Sequence, residues 1–178
     1  MNSENTLNLL WDGPFRLVDF ISGQDRYNKK YRCSGVYLHV VNFPNGIEKL
    51  AYVGKANNLF IRQQQHYAHI LGGLYMIPEE FRSTNMKWEP NWEIRHTANI
   101  MTKIEDFMKL VKDGYQYAME RKVYLCIKDW NYSTREVERS LLYKLKPYGT
   151  KIGTKSEPNN LLNINHIHPD SNNWETIK

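Results

Sequence analysis

Residues 35–54 read GVYLHVVNFPNGIEKLAYVG. Gly35 to Phe43 and Glu48 to Val53 are strand-like, and Asn45-Gly46 between them is the strongest short hairpin signal, because both positions of a two-residue turn want positive φ. A turn there sets Pro44 opposite Ile47, Tyr37 opposite Gly54 and His39 opposite Tyr52. Tyr37 and Tyr52 then become diagonal neighbours on one polar surface, within about 7–8 Å. Val36, Leu38, Val40, Ala51 and Val53 fill the other face. Tyrosine is an ordinary strand residue and twelve occur in the chain, so the pair by itself carries little.

Working outward, apolar residues Phe60, Tyr67, Leu71 and Leu74 predict a helix over 57–72 that Gly72-Gly73 would end. Arg62, His66 and His69 share another face of it, Arg62 and His66 being one turn apart. Residues 73–98 carry Pro78, Trp88, Pro90 and Trp92 and read as irregular, whereas Ile100, Ile104, Phe107, Met108 and Val111 predict an amphipathic helix ending near Gly114. Segment 73–118 is an insertion in this reading.

Lys122 to Lys128 predicts a third strand, with Val123, Leu125 and Ile127 on one face. Ser133-Thr134-Arg135-Glu136 resembles a capping box, opening a helix whose buried stripe is Val137, Leu141, Leu142 and Leu145 and which Pro147 stops. Residues 1–33 show no clean period and read as an N-terminal extension, 34–150 as the core, and 151–178 as a surface-hugging tail. The expected order of core elements is therefore strand-strand-helix-strand-helix, an α/β chain.

Glu138 is the sharpest single observation, because its i+3, i+4 and i+7 positions are Leu141, Leu142 and Leu145. A carboxylate on an apolar stripe costs several kcal/mol unless a cation or hydrogen bonds compensate, so a metal or an arginine is its expected neighbour. The alternative is a boundary residue reaching solvent. Composition allows an anionic partner without naming one: Lys plus Arg outnumber Asp plus Glu by 24 to 19, for a formal charge of +5. Cys33 and Cys126 are too few for a disulfide framework, which suits a reducing cytoplasm. No apolar run approaches the roughly 20 residues that span a bilayer.

Together these residues resemble the GIY-YIG nuclease family. The two signatures stand as Gly35-Val36-Tyr37 and Tyr52-Val53-Gly54, followed by Lys55, Ala56, Asn57, Leu59, Arg62 and His66, then Glu138 nine residues before Pro147. The resemblance covers roughly residues 34–67 and 121–148. It implies an α/β (α+β) fold, one small antiparallel three-stranded sheet flanked by helices, and hydrolysis of nucleic-acid phosphodiesters with one Mg²⁺ or Mn²⁺ held chiefly by Glu138. It also implies that Arg62 stabilises the pentacoordinate phosphate and that Tyr52 orients water or phosphate. Tyr37 would be the candidate base, helped by Lys55 or the metal, with His66 positioning it or sharing its proton.

Three features depart from the family. Fourteen residues separate Tyr37 from Tyr52, more than usual. Pro147 is followed by Tyr148-Gly149-Thr150 where an asparagine is common, leaving Asn159, Asn160 or Asn163 as substitutes. The insertion after His66 is also long. Outside the core, Arg26, Lys29, Lys30 and Arg32 could meet phosphates or form a solvated basic loop, and Trp88 and Trp92 could stack on bases or anchor a loop. His166 and His168 near Asp170 could be drawn as a metal site, but a polar tail is expected to leave them in solvent.

The resulting expectation is a stand-alone restriction or defence-type endonuclease acting on double-stranded DNA, cytoplasmic, as a monomer or homodimer. A repair or structure-specific nuclease, or a non-cleaving nucleic-acid-binding module on the same fold, are its alternatives.

Overall fold

A computed structural model describes residues 6–22, 24–75, 77–82, 104–149 and 156–174. Its centre is the hairpin of β3 (Gly35–Asn42) and β4 (Glu48–Ala56). The turn has three residues rather than two. Gly46 N donates to Phe43 O at 2.8 Å and Phe43 N donates to Ile47 O at 2.9 Å. Gly46 alone takes positive φ, at 79°. Pro44, with its preset φ, occupies the first turn position, and Gly46 the left-handed one that only glycine adopts freely.

That turn shifts the register by one, so that Asn42 faces Glu48 and Val40 faces Leu50. An irregularity between His39 and Val40 shifts it back, and His39 faces Tyr52 and Tyr37 faces Gly54. The extra residue is Ala51, which an otherwise continuous ladder skips. The bulge places Ala51 in the core beside Tyr37, on the face opposite to the expected one, and gives its place to Leu50.

The main sheet has four strands, not three, in the order β2-β5-β3-β4 and antiparallel throughout. β5 (Arg121–Ile127) matches the predicted third strand, while β2 (Asp12–Arg16) comes from the segment read as an extension. β1 (Leu7–Leu10) pairs in parallel with β6 (Ile164–Ile167) as a separate two-stranded sheet, so the two ends of the chain are joined by backbone hydrogen bonds. The segment read as a tail is thus part of the packed structure, with Trp174 of α6 (Ser171–Trp174) buried against Trp11 and Tyr124.

Two apolar layers hold the sheet. One face, carrying Tyr37, Val41, Val123 and Leu125, packs with residues of α1 (Asp19–Ser22), α2 (Gln24–Tyr31), α3 (Leu59–Leu71) and α4 (Ile104–Met119). The other, carrying Val36, Leu38, Val40, Leu50 and Val53, lies with β1 and α5 (Thr134–Leu145). Val137, Leu141 and Leu145 seat α5, each contributing roughly 1.5–3 kcal/mol if fully buried.

Two helices differ from expectation. In α3 the buried residues are Leu59, Phe60, Gln63, His66 and Ile70, so two polar side chains face inward while Tyr67 and Leu71 are only half-buried. The α4 helix continues through Gly114 to Met119, and Met108 is exposed. A Cβ on Gly114 would come within 3.0 Å of the Ile70 carbonyl oxygen, so this glycine permits close packing on α3 instead of ending the helix. Ile100, Trp88 and Trp92 lie outside the described residues.

Candidate functional site

The two sequence signatures converge because their glycines have neighbours that no side chain could share. A Cβ on Gly35 would overlap the Cys126 carbonyl oxygen of β5 and approach Leu59 to 2.8 Å. A Cβ on Gly54 would lie 2.5 Å from Tyr37 Cζ and 2.7 Å from Tyr52 Cε1. Gly54 therefore vacates the ground on which the tyrosines sit. Their rings stack at 5.9 Å between centroids with 15° between planes. Tyr37 is buried and Tyr52 half-buried.

α3 supplies the next two groups. Asn58 caps it by accepting the Ile61 N–H at 3.0 Å, which fixes where the first turn begins. One turn on, Arg62 Nε donates to the Tyr37 hydroxyl at 3.2 Å. His66 Nε2 lies 2.8 Å from that same hydroxyl. Arg62 Nη1 donates to Gln65 at 3.0 Å, and no carboxylate among the described residues pairs with Arg62. A half-buried guanidinium without a counter-ion, its fork only partly used, is suited to an arriving anion.

Burial raises the Tyr37 pKa well above that of an ordinary phenol, with Tyr52 adding to the effect and Arg62 opposing it. Burial drives the His66 pKa well down, assisted by His39 and by the positive charges of Arg121 and Arg62. At neutral pH the pair is a phenol and a neutral imidazole. The other ring nitrogen, His66 Nδ1, lies 2.7 Å from the hydroxyl of Tyr75, a residue that follows α3 and whose spacing carried no signal.

A second polar chain runs beneath the first. Arg121 Nη1 donates to His39 Nδ1 at 2.9 Å, which leaves His39 Nε2 to donate to Gln63 Oε1 at 2.7 Å. Arg121 Nη2 donates to Tyr117, whose hydroxyl lies 2.7 Å from that of Tyr148. The Arg121 guanidinium is buried over the ring of Tyr117 at 4.8 Å, and no carboxylate among the described residues pairs with it. The His39 and His66 rings meet edge to face at 4.7 Å, so this chain braces the α3 residues from below. Traces were present in the sequence: Gln63 lies one turn before His66, and Arg121 shares a strand face with Val123 and Leu125.

Glu138 and Lys55 form a separate group. β4 is an edge strand, and its Lys55 lies near the Glu138 carboxylate, whose charged form it favours. Glu138 is half-buried, and burial raises its pKa while Lys55, Arg135 and Arg139 pull it back. Lys55 alternates with Gly54, so its side chain projects from the α5 side of β4 and not towards the phenols, contrary to the expected help for Tyr37. The expected capping box is present: Ser133 Oγ accepts the Glu136 N–H at 3.1 Å, and Glu136 reaches back to the Ser133 N–H at 3.0 Å. No cluster of three or more His, Cys, Asp or Glu fit for a metal occurs among the described residues. A single carboxylate at a strand edge suits Mg²⁺ or Mn²⁺, since such ions commonly keep several waters and bind through one or two carboxylates plus substrate phosphates.

The remaining expected residues stand apart. Lys30 pairs with Asp12 at 3.0 Å, Arg32 donates to Asn28, and Lys29 is exposed on α2. Arg26 belongs to α2, and its side chain lies outside the described residues. Asn160 donates to the capping-box residue Glu136 at 3.2 Å and Asn163 to Thr6 at 3.1 Å, while Asn159 is exposed. His166 and His168 are half-buried rather than solvated. His166 Nδ1 accepts from Trp11 Nε1 at 3.1 Å, and His168 Nε2 donates to Gly13 O at 3.1 Å. Both serve the junction between the chain ends. Comparison with protein-family models, with curated proteins and with solved structures gives no match for this chain.

Proposed function

We propose that this chain is a metal-dependent endonuclease of the GIY-YIG type that hydrolyses DNA phosphodiesters, of stand-alone restriction or defence type. The observation that carries the reading is the convergence of Arg62 and His66 on the hydroxyl of Tyr37, itself stacked on Tyr52. The sheet is read as a GIY-YIG core of β3, β4 and β5 with α3 and α5, extended at one edge by β2.

In this reading the Arg62 fork binds the phosphate and strengthens its hold as negative charge accumulates there, a gain worth on the order of 10²–10³ in rate for a well-placed donor. Tyr52, whose hydroxyl has no hydrogen bond among the described residues, orients water or phosphate. Tyr37 takes the proton of the attacking water. Glu138 would hold Mg²⁺ or Mn²⁺, which when bound supplies Lewis-acid polarisation of the phosphodiester.

The test incubates purified protein with supercoiled plasmid, flap and four-way-junction DNA, with Mg²⁺, with Mn²⁺ and with EDTA. Nicking or linearisation of plasmid that requires the metal supports the restriction-type reading, whereas cutting confined to flaps or junctions supports a repair-type enzyme. A second reading, a nucleic-acid-binding module that does not cut, rests on Lys55, Arg135 and Arg139, three cations able to balance Glu138 without a metal. It expects retarded DNA in gels and no cleavage of any substrate.

A further inference from the structure

We propose that Tyr75 is the outlet of a proton relay running from Tyr37 through His66, by which the proton of the attacking water leaves the site. The proposal rests on the hydrolytic reading above. It starts from a restriction on Tyr37: a buried phenol whose pKa is raised by its surroundings does not act as a base by standing as phenolate. It can accept a proton only if it releases its own at the same moment.

The hydrogen bonds give that release a route. Tyr37 Oη lies 2.8 Å from His66 Nε2, and His66 Nδ1 lies 2.7 Å from Tyr75 Oη. Both ring nitrogens of one histidine are thus bonded to hydroxyls that can donate or accept. A neutral imidazole has one N–H, so the same heavy atoms admit two proton arrangements. In the first, Tyr37 donates to Nε2, Nδ1–H donates to Tyr75, and the Tyr75 O–H points elsewhere. In the second, Tyr75 donates to Nδ1 and Nε2–H donates to Tyr37, whose own O–H points elsewhere. Arg62 donates to Tyr37 in both.

These arrangements are the states before and after one relay step. Water attacks phosphorus and its proton goes to Tyr37 Oη. The Tyr37 proton passes to Nε2, the Nδ1 proton to Tyr75, and the Tyr75 proton to solvent. One proton enters and one leaves, the new P–O bond replaces the bond to the leaving oxygen, which takes a proton from solvent, and neither phenolate nor imidazolium forms. Reset runs the protons back, with one taken up at Tyr75 and one released at Tyr37. Burial, with His39, Arg121 and Arg62 adding to it, makes imidazolium costly at His66, so the transfer is concerted. Of the three linked residues Tyr37 and His66 are buried and Tyr75 is only half-buried, with the Arg121 guanidinium 5.9 Å from its ring centroid and the His69 ring packed at right angles to it, so Tyr75 is the member through which a proton reaches solvent.

The experiment compares single-turnover plasmid cleavage by wild type and Tyr75→Phe in mixtures of H₂O and D₂O, with DNA affinity measured in Ca²⁺ and folding checked by circular dichroism. Wild type is expected to show a bowed dependence of rate on deuterium fraction, as several protons move together. Tyr75→Phe, which keeps the ring, is expected to lose about 100-fold or more in the chemical step with affinity unchanged, and to show a straight dependence. A variant that cuts at the wild-type rate overturns the relay, as does a slowed variant that keeps the bowed dependence. If the variant fails to fold, the wild-type measurement decides alone: no isotope effect on the chemical step refutes the relay. A wild type that binds nucleic acid but cuts none overturns the hydrolytic reading, and the relay with it.

Discussion

Gly54→Ala tests whether the phenol geometry does the work assigned to it. The added methyl would lie 2.5 Å from Tyr37 Cζ and 2.7 Å from Tyr52 Cε1, and closest of all to the Tyr37 hydroxyl. Carbon atoms in good contact stand about 3.5–4.0 Å apart, so the Tyr37 ring must retreat by about 1 Å. Its hydroxyl bonds, 2.8 Å to His66 and 3.2 Å to Arg62, then lengthen towards or past about 3.6 Å, where a hydrogen bond no longer exists. The overpacking should cost roughly 1–3 kcal/mol of stability. A misplacement of that size in a catalytic group can cost about 100-fold in rate. Thermal melts and plasmid cleavage time courses read the two effects separately: the expected result is a folded protein with a modestly lower Tm and cleavage reduced by about two orders of magnitude. Cleavage at the wild-type rate by a folded variant would refute the claim that Tyr37 must stay bonded to Arg62 and His66.

Arg62→Lys keeps the charge and loses the planar fork. Cleavage should fall by about 10²–10³ while DNA affinity in Ca²⁺ stays nearly unchanged; an equal fall in both would make Arg62 a simple anchor. Stability should decline as pH falls below about 6.5, because unfolded histidines take up protons there while His39 and His66, their pKa values lowered chiefly by burial, do not. The loss is on the order of 1 kcal/mol per pH unit for each histidine. Glu138, raised by burial, works in the opposite sense at lower pH and offsets part of it. Urea unfolding between pH 7.5 and 5.5 measures this slope, and a flat profile would contradict the buried neutral pair. Ser133→Ala removes the N-cap of the helix that carries Glu138 and should cost about 1 kcal/mol by chemical denaturation, with cleavage retained under folding conditions.

The hairpin was legible for a reason only half understood from sequence. The expected facing of Tyr37 with Gly54 and of His39 with Tyr52 is observed, but through two deviations that cancel: a three-residue turn and a bulge at Ala51. Periodicity of two reveals neither. The stripe of α5 and its capping box were readable because every relevant spacing is local. The β1–β6 pair was not, since Leu7 meets Ile164 across almost the whole chain and strands of four residues are too short to show a period. β2 is interrupted by an irregularity between Asp12 and Phe15, which breaks the alternation that would have marked it.

The site shows the same division. Tyr37, Arg62 and His66 were readable as a set and meet at one hydroxyl. Lys55 was placed with the phenols, although alternation along β4 assigns it to the opposite side, with Glu138. Tyr75 enters the site only through tertiary packing, and Gln63 and Arg121 left only a trace in spacing, because a polar residue is read as solvated until its buried partner is seen.

The most direct measurement of metal-dependent hydrolysis is plasmid cleavage by wild type beside a Glu138→Ala variant, in Mg²⁺ and in Mn²⁺, with folding and DNA affinity matched beforehand. The expected result is cutting by wild type alone, abolished by EDTA. Equal cutting by both proteins, or binding without cutting by both, would contradict the assignment of Glu138 as the metal-holding residue of a nuclease.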